Sequence, residues 1–270
     1  MNSTMPPSID KQLVAQRFSH SRSTYDREAS VQRQVAEKMT RLLHATVLAA
    51  SASCPDTPKR CGNIVEFGCG TGIYSRLLLR TLQPETLLLN DLCREMEESV
   101  GELCSHPAVR FVSGDAESLD FPAGTDLITS CSTLQWFNRP DAFFLRCHHA
   151  LPEGGILAFS TFGTENLHQI RQLTGNGLAY LPLEALKAML APGFDILHAE
   201  EEVVSLPFPT PQAVLKHLKQ TGVTGTEKRM WTCGRLQAFC DEYTARFSDA
   251  DGRVTLTYHP IYIIARKKTN

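Results

Sequence analysis

The chain has 270 residues, of which 42% are hydrophobic and 21% charged, and its formal net charge is −2. This composition is typical of a globular protein with a sizeable core, and the charge argues against general nucleic-acid binding, which needs a basic surface. No apolar run approaches the roughly 18 residues that cross a membrane, and the first residues lack the pattern of a signal peptide. We therefore expect a cytoplasmic protein that binds neither nucleic acid nor a membrane.

The nine cysteines are scattered along the chain, and no two of them form a Cys-x-x-Cys pair. An odd number without ligand spacing indicates reduced thiols rather than a disulfide framework or a zinc site. His148 and His149 are adjacent, but no acidic or cysteine residue accompanies them at ligand spacing, so a structural role is expected. We accordingly predict no bound metal.

Two helices are predicted ahead of the first strand. Residues 9–22 carry an amphipathic pattern that Asp10 would cap, and residues 31–47 repeat apolar side chains at helical spacing. The polar residues of the second helix, Gln32 among them, are expected on its exposed face. Tyr25 lies at the junction of the two helices, followed by an aspartate, and packing alone does not explain this position.

The rest of the chain is organised around residues 64–75. An apolar run that contains Glu66 leads into a glycine-rich segment, and a helical pattern begins after it. Three glycines stand at alternate positions: Gly68, Gly70 and Gly72. This order predicts a strand, a tight turn and a helix, with a nucleotide-like cofactor at the turn, because glycine allows sharp turning and close approach of a ligand. A dinucleotide fingerprint would have its last glycine at position 73, where this chain has Ile73.

Two further strands are predicted to end near acids. Residues 86–91 form a buried strand that ends at Asp91, and residues 109–113 form another that is followed by Asp115. The separation of Gly72 and Asp91 matches the roughly 20 residues expected between a glycine turn and a ribose-binding acid. The alternative is that Asp91 only caps the following helix.

The remaining elements continue an alternation of strands and helices. Helices are predicted at 94–104, 140–150, 164–174, 183–190 and 211–220, and strands at 125–131 and 156–162. An alternating stretch over 194–208 and the final residues 254–266 would form a closing strand pair. Strands that alternate with helices predict an α/β fold whose parallel sheet carries helices on both faces.

The strand ends together resemble the class I S-adenosylmethionine-dependent methyltransferases. Residues 66–72 are similar to the first motif of that family, and Asp91 and Asp115 stand where the family binds the ribose and the adenine. The resemblance covers residues 60–162 and implies a Rossmann-like fold with a mostly parallel seven-stranded sheet, N-terminal helices and a helical insertion after strand 5. It implies S-adenosyl-L-methionine as cofactor and S-adenosyl-L-homocysteine as product. The cofactor-binding residues that it implies are Glu66, Gly68, Cys69, Gly70, Gly72, Asp91, Leu92, Asp115, Ala116 and Ser132.

Segments outside this core resemble a narrower family, the malonyl-acyl-carrier-protein O-methyltransferases of biotin synthesis. The similar segments are residues 11–34, 162–173, 215–223 and 256–262, so the resemblance spans nearly the whole chain. It implies methyl transfer to the free carboxylate of a malonyl thioester on acyl carrier protein, with malonyl-CoA as an alternative thioester. The methyl ester would hide a charge during chain elongation towards a pimeloyl thioester, a biotin precursor.

This resemblance implies one methyltransferase domain over residues 1–270. Within it we expect four parts: an N-terminal helical cap (1–50), the cofactor-binding core (60–162), a substrate-side insertion with a sheet strand (163–226), and a C-terminal helix with the closing strand (227–270).

Three residues are predicted to act on the acceptor: Tyr25, Trp136 and Arg171. A carboxylate is already ionised at neutral pH, since ordinary carboxyl pKa values lie at about 4, so no general base is required. Catalysis would come from alignment and from removal of water. We expect Arg171 to position the acceptor carboxylate, Tyr25 to offer its hydroxyl at the mouth of the cofactor site, and Trp136 to enclose the methyl group. Tyr258 and His259 are expected to reach the same pocket from the final strand.

Acyl carrier proteins are acidic, so a docking face for one should be basic. Two groups of basic residues meet this description: Lys216, Lys219, Lys228, Arg229 and Arg235, and Arg17, Arg22 and Arg27 around Tyr25. Ordinary surface charge is the alternative explanation for both groups.

Other functions stay open at this stage. A methyltransferase for a different small carboxylic acid or another small molecule would share the core motifs. A nucleic-acid amino methyltransferase is disfavoured because the Asn/Asp-Pro-Pro-aromatic signature is absent after residue 131, and a nicotinamide dehydrogenase is disfavoured by Ile73. A cofactor-binding module without catalytic activity is the alternative from outside the enzymes.

Overall fold

A seven-stranded sheet lies at the centre of the computed structural model, which describes residues 8–52, 62–223 and 232–269. The described strands are β1 (Asn63–Phe67), β2 (Thr86–Asp91), β3 (Val109–Ser113), β4 (Leu127–Cys131), β5 (Ile156–Phe162), β6 (Phe194–Glu201), β7 (Val204–Phe208), β8 (Val254–Tyr258) and β9 (Pro260–Lys267). The large sheet has the order β3-β2-β1-β4-β5-β9-β6. β9 runs antiparallel to both of its neighbours, β5 and β6, and all other neighbouring strands in this sheet are parallel. The predicted mostly parallel sheet of seven strands is therefore confirmed.

Helices cover both faces of this sheet. They are α1 (Lys11–Glu28), α2 (Ser30–Ala52), α3 (Ile73–Leu82), α4 (Met96–Ser99), α5 (Gly101–Cys104), α6 (Pro140–Ala150), α7 (His168–Thr174), α8 (Leu183–Leu190), α9 (Pro211–Gln220) and α10 (Cys233–Phe247). One apolar core joins Met39 of α2, Leu78 of α3 and Tyr243 of α10. The other joins Phe143 of α6 and Leu186 of α8. No helix in these described ranges is long and apolar enough to cross a membrane.

The predicted closing strand pair exists, but it is divided between two sheets. β6 pairs with β9 in the large sheet, while β7 and β8 pair with each other in a separate two-stranded sheet. The final strand is interrupted at His259, and β9 begins at Pro260, whose missing N–H suits the first position of a strand. Pro207 lies in β7, where it is tolerated because β7 is an edge strand.

Two helix predictions need correction. The helix expected at 94–104 is two short helices, α4 and α5, because the chain leaves helical geometry at Val100 (φ −104°, ψ 6°) before Gly101, a weak helix former. The first helix continues to Glu28, well past residue 22. Its predicted cap is confirmed, since the Asp10 carboxylate accepts a hydrogen bond from the Leu13 N–H at 3.0 Å.

Candidate functional site

A cleft opens where β1, β2 and β4 end, and α1 lies across it. The empty space is about 1020 Å³ and includes solvent at the mouth. Nine of the predicted cofactor-binding residues line it: Glu66, Gly68, Cys69, Gly70, Asp91, Leu92, Asp115, Ala116 and Ser132. Gly72 is outside the lining and begins α3 as its cap with φ 84°. The carboxyl ends of parallel strands share one edge of the sheet, which is why residues so far apart in sequence meet here.

The glycine turn has one position with free space beside its Cα atom, Gly70, and one that is tightly packed, Gly68. Gly68 and Gly70 both have positive φ values, 67° and 54°, which favour glycine. A Cβ at Gly68 would lie only 2.2 Å from the Thr133 hydroxyl oxygen, whereas a Cβ at Gly70 would meet no atom within 4 Å. The backbone at Gly70 is therefore accessible to a ligand in the cleft, and Gly68 is needed for the close contact between β1 and the segment after β4.

The Asp91 carboxylate is fixed by two backbone groups. Its Oδ2 accepts a hydrogen bond from the Gly70 N–H, and its Oδ1 accepts one from the Cys93 N–H, each at 2.8 Å. Burial raises the pKa of Asp91 to about 6, against the effect of these two hydrogen bonds. Each carboxylate oxygen has two lone pairs, so each can still accept one hydroxyl hydrogen. The group is thus oriented to bind a vicinal diol such as that of a ribose.

Glu66 is a buried acid without a full set of partners. It is 1% exposed, and its Oε2 has no hydrogen-bond partner within the described part of the chain. Burial raises its pKa to about 8, and the nearby charge of Asp91 acts in the same direction. An unpaired buried carboxyl oxygen costs free energy, which a hydrogen-bond donor or a cation in the cleft would recover. Glu66 therefore fits the positively charged end of a ligand.

The cofactor-free protein is expected to lose stability as the pH rises from about 4 to 8. The folded-state pKa values of Glu66 and Asp91 lie above the ordinary 4.5 and 3.8, so the folded protein holds protons that the unfolded chain releases. The stability that these carboxyls contribute is fully present below their ordinary pKa values and is lost as the pH rises through their folded-state pKa values. The free energy of unfolding should fall by a few kcal/mol over this range.

Urea unfolding of the Glu66→Gln variant tests this pH dependence. The variant should show a much smaller decline between about pH 5 and pH 8, because glutamine has no proton to lose. Replacement of the exposed Glu97 by glutamine is the matched control and should keep the decline of the original protein. An equal decline in both variants would mean that Glu66 is not the group responsible.

Lys11 covers the end of the cleft where Asp115 lies. Its Nζ is 3.1 Å from the Asp115 Oδ1 and 2.7 Å from the Glu117 Oε2, and it lies 4.8 Å from the centre of the Phe137 ring. Lys11 is not among the site residues predicted from the sequence. Its spacing from Phe18 could have indicated its position, because residues seven apart share one helix face. Both residues line the cleft.

A second, smaller cavity adjoins the cleft, and its empty space of about 350 Å³ includes open solvent. Five residues line both spaces: Phe18, Tyr25, Gln32, Ser132 and Trp136. The remaining lining residues come from the segments after β4 and β5 and from the C-terminal part: Gln135, Phe162, Asn166, Leu178, Tyr180, Val223 and Tyr258. No lysine, arginine or histidine is among these residues in the described structure. The smaller cavity is thus a neutral, largely aromatic space beside the cofactor cleft.

Tyr25 and Trp136, two of the residues predicted to act on the acceptor, lie at this boundary. Burial, and then the charges of Asp26 and Asp91, raise the pKa of Tyr25 well above its usual value, so its hydroxyl keeps its proton. The Trp136 indole Nε1 is buried without a hydrogen-bond partner among the described residues. Phe18 packs edge-on against the Trp136 ring, with 5.6 Å between the ring centres. Both side chains therefore present donors at the junction of the two cavities, and their catalytic roles stay predictions.

Arg171, the third residue predicted to act on the acceptor, lines neither cavity. Its guanidinium donates hydrogen bonds to the backbone carbonyls of Thr164, at 2.6 Å, and Asn166, at 3.4 Å. Burial raises the pKa of Tyr180, which does line the smaller cavity, to about 12, while a hydrogen bond with the Asn166 side chain and the charge of Arg171 lower it. Direct contact of Arg171 with an acceptor stays a prediction.

Tyr258 and His259 differ in their placement. Tyr258 lines the smaller cavity, as expected. His259 lines neither space, because its Nδ1 accepts a hydrogen bond from the Glu165 N–H at 3.1 Å and its Nε2 faces the Glu201 carboxylate at 3.2 Å. His148 packs edge-on against Phe194 at 5.6 Å, which agrees with a structural role.

The expectation that Gln32 faces solvent is wrong. Gln32 is 7% exposed and lines both cavities, and its Oε1 has no hydrogen-bond partner among the residues described. Val35 and Ala36, three and four residues later, are buried on the same helix face, so the spacing did place Gln32 inward. Because glutamine is polar, the sequence pattern led to the expectation of an exposed side chain.

The predicted basic face is present in part. Lys216 and Lys219 are exposed on α9, and this helix is joined to α1 by a hydrogen bond from the Thr24 hydroxyl to the Gln220 carbonyl at 2.9 Å. Arg22 and Arg27 form ion pairs with acids close to them. Other members of the two predicted groups, Lys228 and Arg229, lie outside the described residues.

No metal-binding group occurs in the ranges that the structure describes: three or more His, Cys, Asp or Glu side chains are nowhere arranged to hold an ion.

Comparison with known proteins identifies the family. A family model described as a methyltransferase domain matches residues 65–159. A malonyl-acyl-carrier-protein O-methyltransferase from Bacteroides helcogenes is 67% identical, over 96% of this chain and 100% of that protein. Another of the same name, from Bacteroides thetaiotaomicron, is 52% identical over 96% of this chain and 99% of that protein. This chain belongs to the malonyl-acyl-carrier-protein O-methyltransferase family.

The fold of this family member also has solved counterparts. A candidate methyltransferase from Bacillus halodurans C-125 superposes with a TM-score of 0.60, over 84% of this chain and 99% of that chain, at 18% identity. At such identity the likeness concerns the fold alone, and it supports the Rossmann-like class I methyltransferase fold. The family resemblance that the flanking segments indicated in the sequence is confirmed by the full-length relatives.

Proposed function

We propose that this protein transfers a methyl group from S-adenosyl-L-methionine to the free carboxylate of a malonyl thioester on acyl carrier protein. The malonyl methyl ester then primes pimeloyl formation in biotin synthesis, and the proposed location is the cytoplasm. The observation that carries the proposal is the pair of adjoining cavities: an acidic cleft for the cofactor and a neutral aromatic space for the acceptor. The chain is also 67% identical to a relative that is named malonyl-acyl-carrier-protein O-methyltransferase. We propose one domain, with residues 1–50 as the cap over the cofactor-binding core.

The residues of the cleft fit S-adenosyl-L-methionine. Asp91 is oriented for the two ribose hydroxyls, and Gly70 offers backbone without a side chain. We propose that Asp115, which follows β3, binds the adenine amino group, and Lys11 lies against Asp115 at that end of the cleft. Glu66, with its unpaired oxygen, is suited to the cationic methionine part. When bound, this cofactor supplies a methyl group activated for attack by its sulfonium charge.

The chain's own contribution is to align the acceptor and to exclude water. The acceptor carboxylate is ionised at neutral pH, so no residue has to remove a proton. The aromatic side chains of Phe18 and Trp136 lie between the two spaces and keep water from the reacting atoms. Tyr25 keeps its phenolic proton and can orient one carboxylate oxygen by a hydrogen bond. Holding the two reactants in line converts an encounter in solution into a reaction within one complex.

Two experiments on the whole protein test this function. Expression of the chain should restore growth without biotin to a bacterial strain that lacks its own enzyme for this step. Methyl-labelled S-adenosyl-L-methionine should transfer label to malonyl-acyl carrier protein, and the label should be released by mild alkali as expected of a methyl ester. Growth that still requires biotin, together with no label on the carrier protein, would refute the proposal.

A charge reversal on α9 is expected to impair use of the carrier protein. Lys216 is exposed beside α1, the helix that covers both cavities, and acyl carrier protein is acidic. The Lys216→Glu variant should raise the KM for malonyl-acyl carrier protein by about 3- to 10-fold at low salt, with little change for malonyl-CoA. Arg110→Glu, an equal charge change at an exposed site on the edge strand β3, is the control. Equal effects of both variants would argue against docking at α9.

A further inference from the structure

Gln32 occupies the wall that the two cavities share. It lies in the first turn of α2, is 7% exposed, and lines both the cofactor cleft and the smaller cavity. Its Oε1 has no partner within the described residues. A buried amide oxygen without a partner is costly, and such groups in native proteins call for an explanation. One end of the Gln32 amide therefore lacks a partner, and its position on the shared wall suggests that this end of the amide faces a bound ligand.

The smaller cavity offers a carboxylate only neutral partners. Its lining within the described structure contains no cationic side chain. Two other buried polar atoms without partners lie on the same shared wall as Gln32, namely the Ser132 Oγ and the Trp136 Nε1. A neutral donor orients a carboxylate while removing less electron density from it than a guanidinium would, which favours attack by the oxygen.

A hydrogen-bonded chain behind Gln32 lets its amide face the cavity in either orientation. The Tyr258 hydroxyl is 2.8 Å from the His217 Nε2, in buried surroundings, and its oxygen accepts a hydrogen bond from the Gln32 amide. Burial lowers the pKa of His217, so the ring is neutral and can place its proton on either nitrogen. With the proton on Nε2 and the Gln32 amide rotated by 180°, His217 donates to Tyr258, and Tyr258 donates to the Gln32 Oε1. The Gln32 NH₂ is then directed to the cavity.

We propose that the Gln32 side-chain amide binds the acceptor carboxylate as a neutral hydrogen-bond donor, with the Tyr258–His217 pair holding the amide in that orientation. This inference rests on the proposed function, because it assumes a carboxylate acceptor. It assigns to Gln32 a substrate-binding role and to Tyr258 and His217 a positioning role. It also explains why a glutamine is buried on a mostly apolar helix face.

Two substitutions of Gln32 separate this role from a structural one. Gln32→Leu removes the donor, and the KM for malonyl-acyl carrier protein should rise about 10-fold, the loss of one hydrogen bond to a charged group. Gln32→Glu places a carboxylate opposite the substrate carboxylate, and the KM should rise further. A purely structural amide predicts the reverse order, because glutamate can still accept the Tyr258 hydroxyl hydrogen. Gln34→Leu, an exposed site on the same helix, is the matched control.

The deciding measurement compares the acid with its neutral ester. Binding of malonyl-acyl carrier protein and of its methyl ester is measured by calorimetry for each variant, together with the melting temperature and the affinity for S-adenosyl-L-homocysteine. We expect Gln32→Glu to weaken binding of the acid while binding of the ester and of the cofactor product stays within about 2-fold. Equal weakening of acid and ester, or no weakening of either, would overturn the role of Gln32. Absence of turnover by the unaltered protein would refute the proposed function instead, and the ratio of the two affinities would still decide the role of Gln32.

Discussion

Replacement of Asp91 by alanine is expected to weaken binding of S-adenosyl-L-homocysteine by about 100-fold, or close to 3 kcal/mol. The carboxylate would accept both ribose hydroxyls, and hydrogen bonds to a charged group are the strong ones. It also fixes the Gly70 and Cys93 N–H groups, each at 2.8 Å, so its removal loosens the turn on which the cofactor lies. The dissociation constant measured by calorimetry is the readout.

Asp126 supplies a control for this substitution. Its Oδ2 accepts a hydrogen bond from the Asn63 N–H at 2.9 Å, at the opposite end of the parallel strands from Asp91. Asp126→Ala therefore removes a comparable carboxylate-to-backbone contact without touching the cleft. It should lower stability slightly and leave the dissociation constant within about 2-fold of the original. A dissociation constant that Asp91→Ala does not change would remove Asp91 from the cofactor site.

Gly68→Ala is expected to lower the free energy of unfolding by about 2–5 kcal/mol. The added Cβ would lie 2.2 Å from the Thr133 hydroxyl oxygen and 2.8 Å from the Thr133 Cβ, so the backbone has to move. The positive φ of 67° adds strain that alanine does not relieve. Chemical denaturation of the variant beside the unaltered protein measures the loss.

Two other glycines separate the contributions to this loss. Gly175 has a similar φ of 73°, and a Cβ there would meet no atom within 4 Å, so Gly175→Ala should cost only the strain of about 1–2 kcal/mol. Gly70→Ala should resemble Gly175→Ala in stability, yet it should weaken cofactor binding because its Cβ would extend into the cleft. If Gly68→Ala were no more destabilised than Gly175→Ala, the contact with Thr133 would not constrain the turn.

The cofactor cleft could be predicted because its residues follow from local patterns. Glu66 and Asp91 each stand at the end of an apolar run, and the chain alternates between strands and helices. In a parallel sheet this is enough to bring such positions to one edge, whatever the details of packing. The glycine spacing and Ile73 then distinguished the turn from a dinucleotide site, and nine of the ten predicted positions line one cleft.

The acceptor side could not be predicted to the same extent, because it depends on how distant elements pack. Lys11 and Gln32 reach the site only because α1 and α2 lie against the carboxyl ends of the strands, a placement that their own sequences do not specify. Arg171 was selected for its chemistry, yet backbone carbonyls near the start of α7 bind its guanidinium. The interruption at His259 between β8 and β9 likewise depends on packing, because β8 pairs with β7 in the small sheet and β9 pairs with β6 in the large one.

Methyl transfer to the malonyl group is measured most directly by the mass of malonyl-acyl carrier protein after incubation with this protein and S-adenosyl-L-methionine. We expect the malonyl group to gain one methyl group, as an ester that mild alkali removes. Acetyl-acyl carrier protein, which has no free carboxylate, should stay unchanged under the same conditions. A malonyl-acyl carrier protein that keeps its mass, while a different small acid is methylated in its place, would contradict the account.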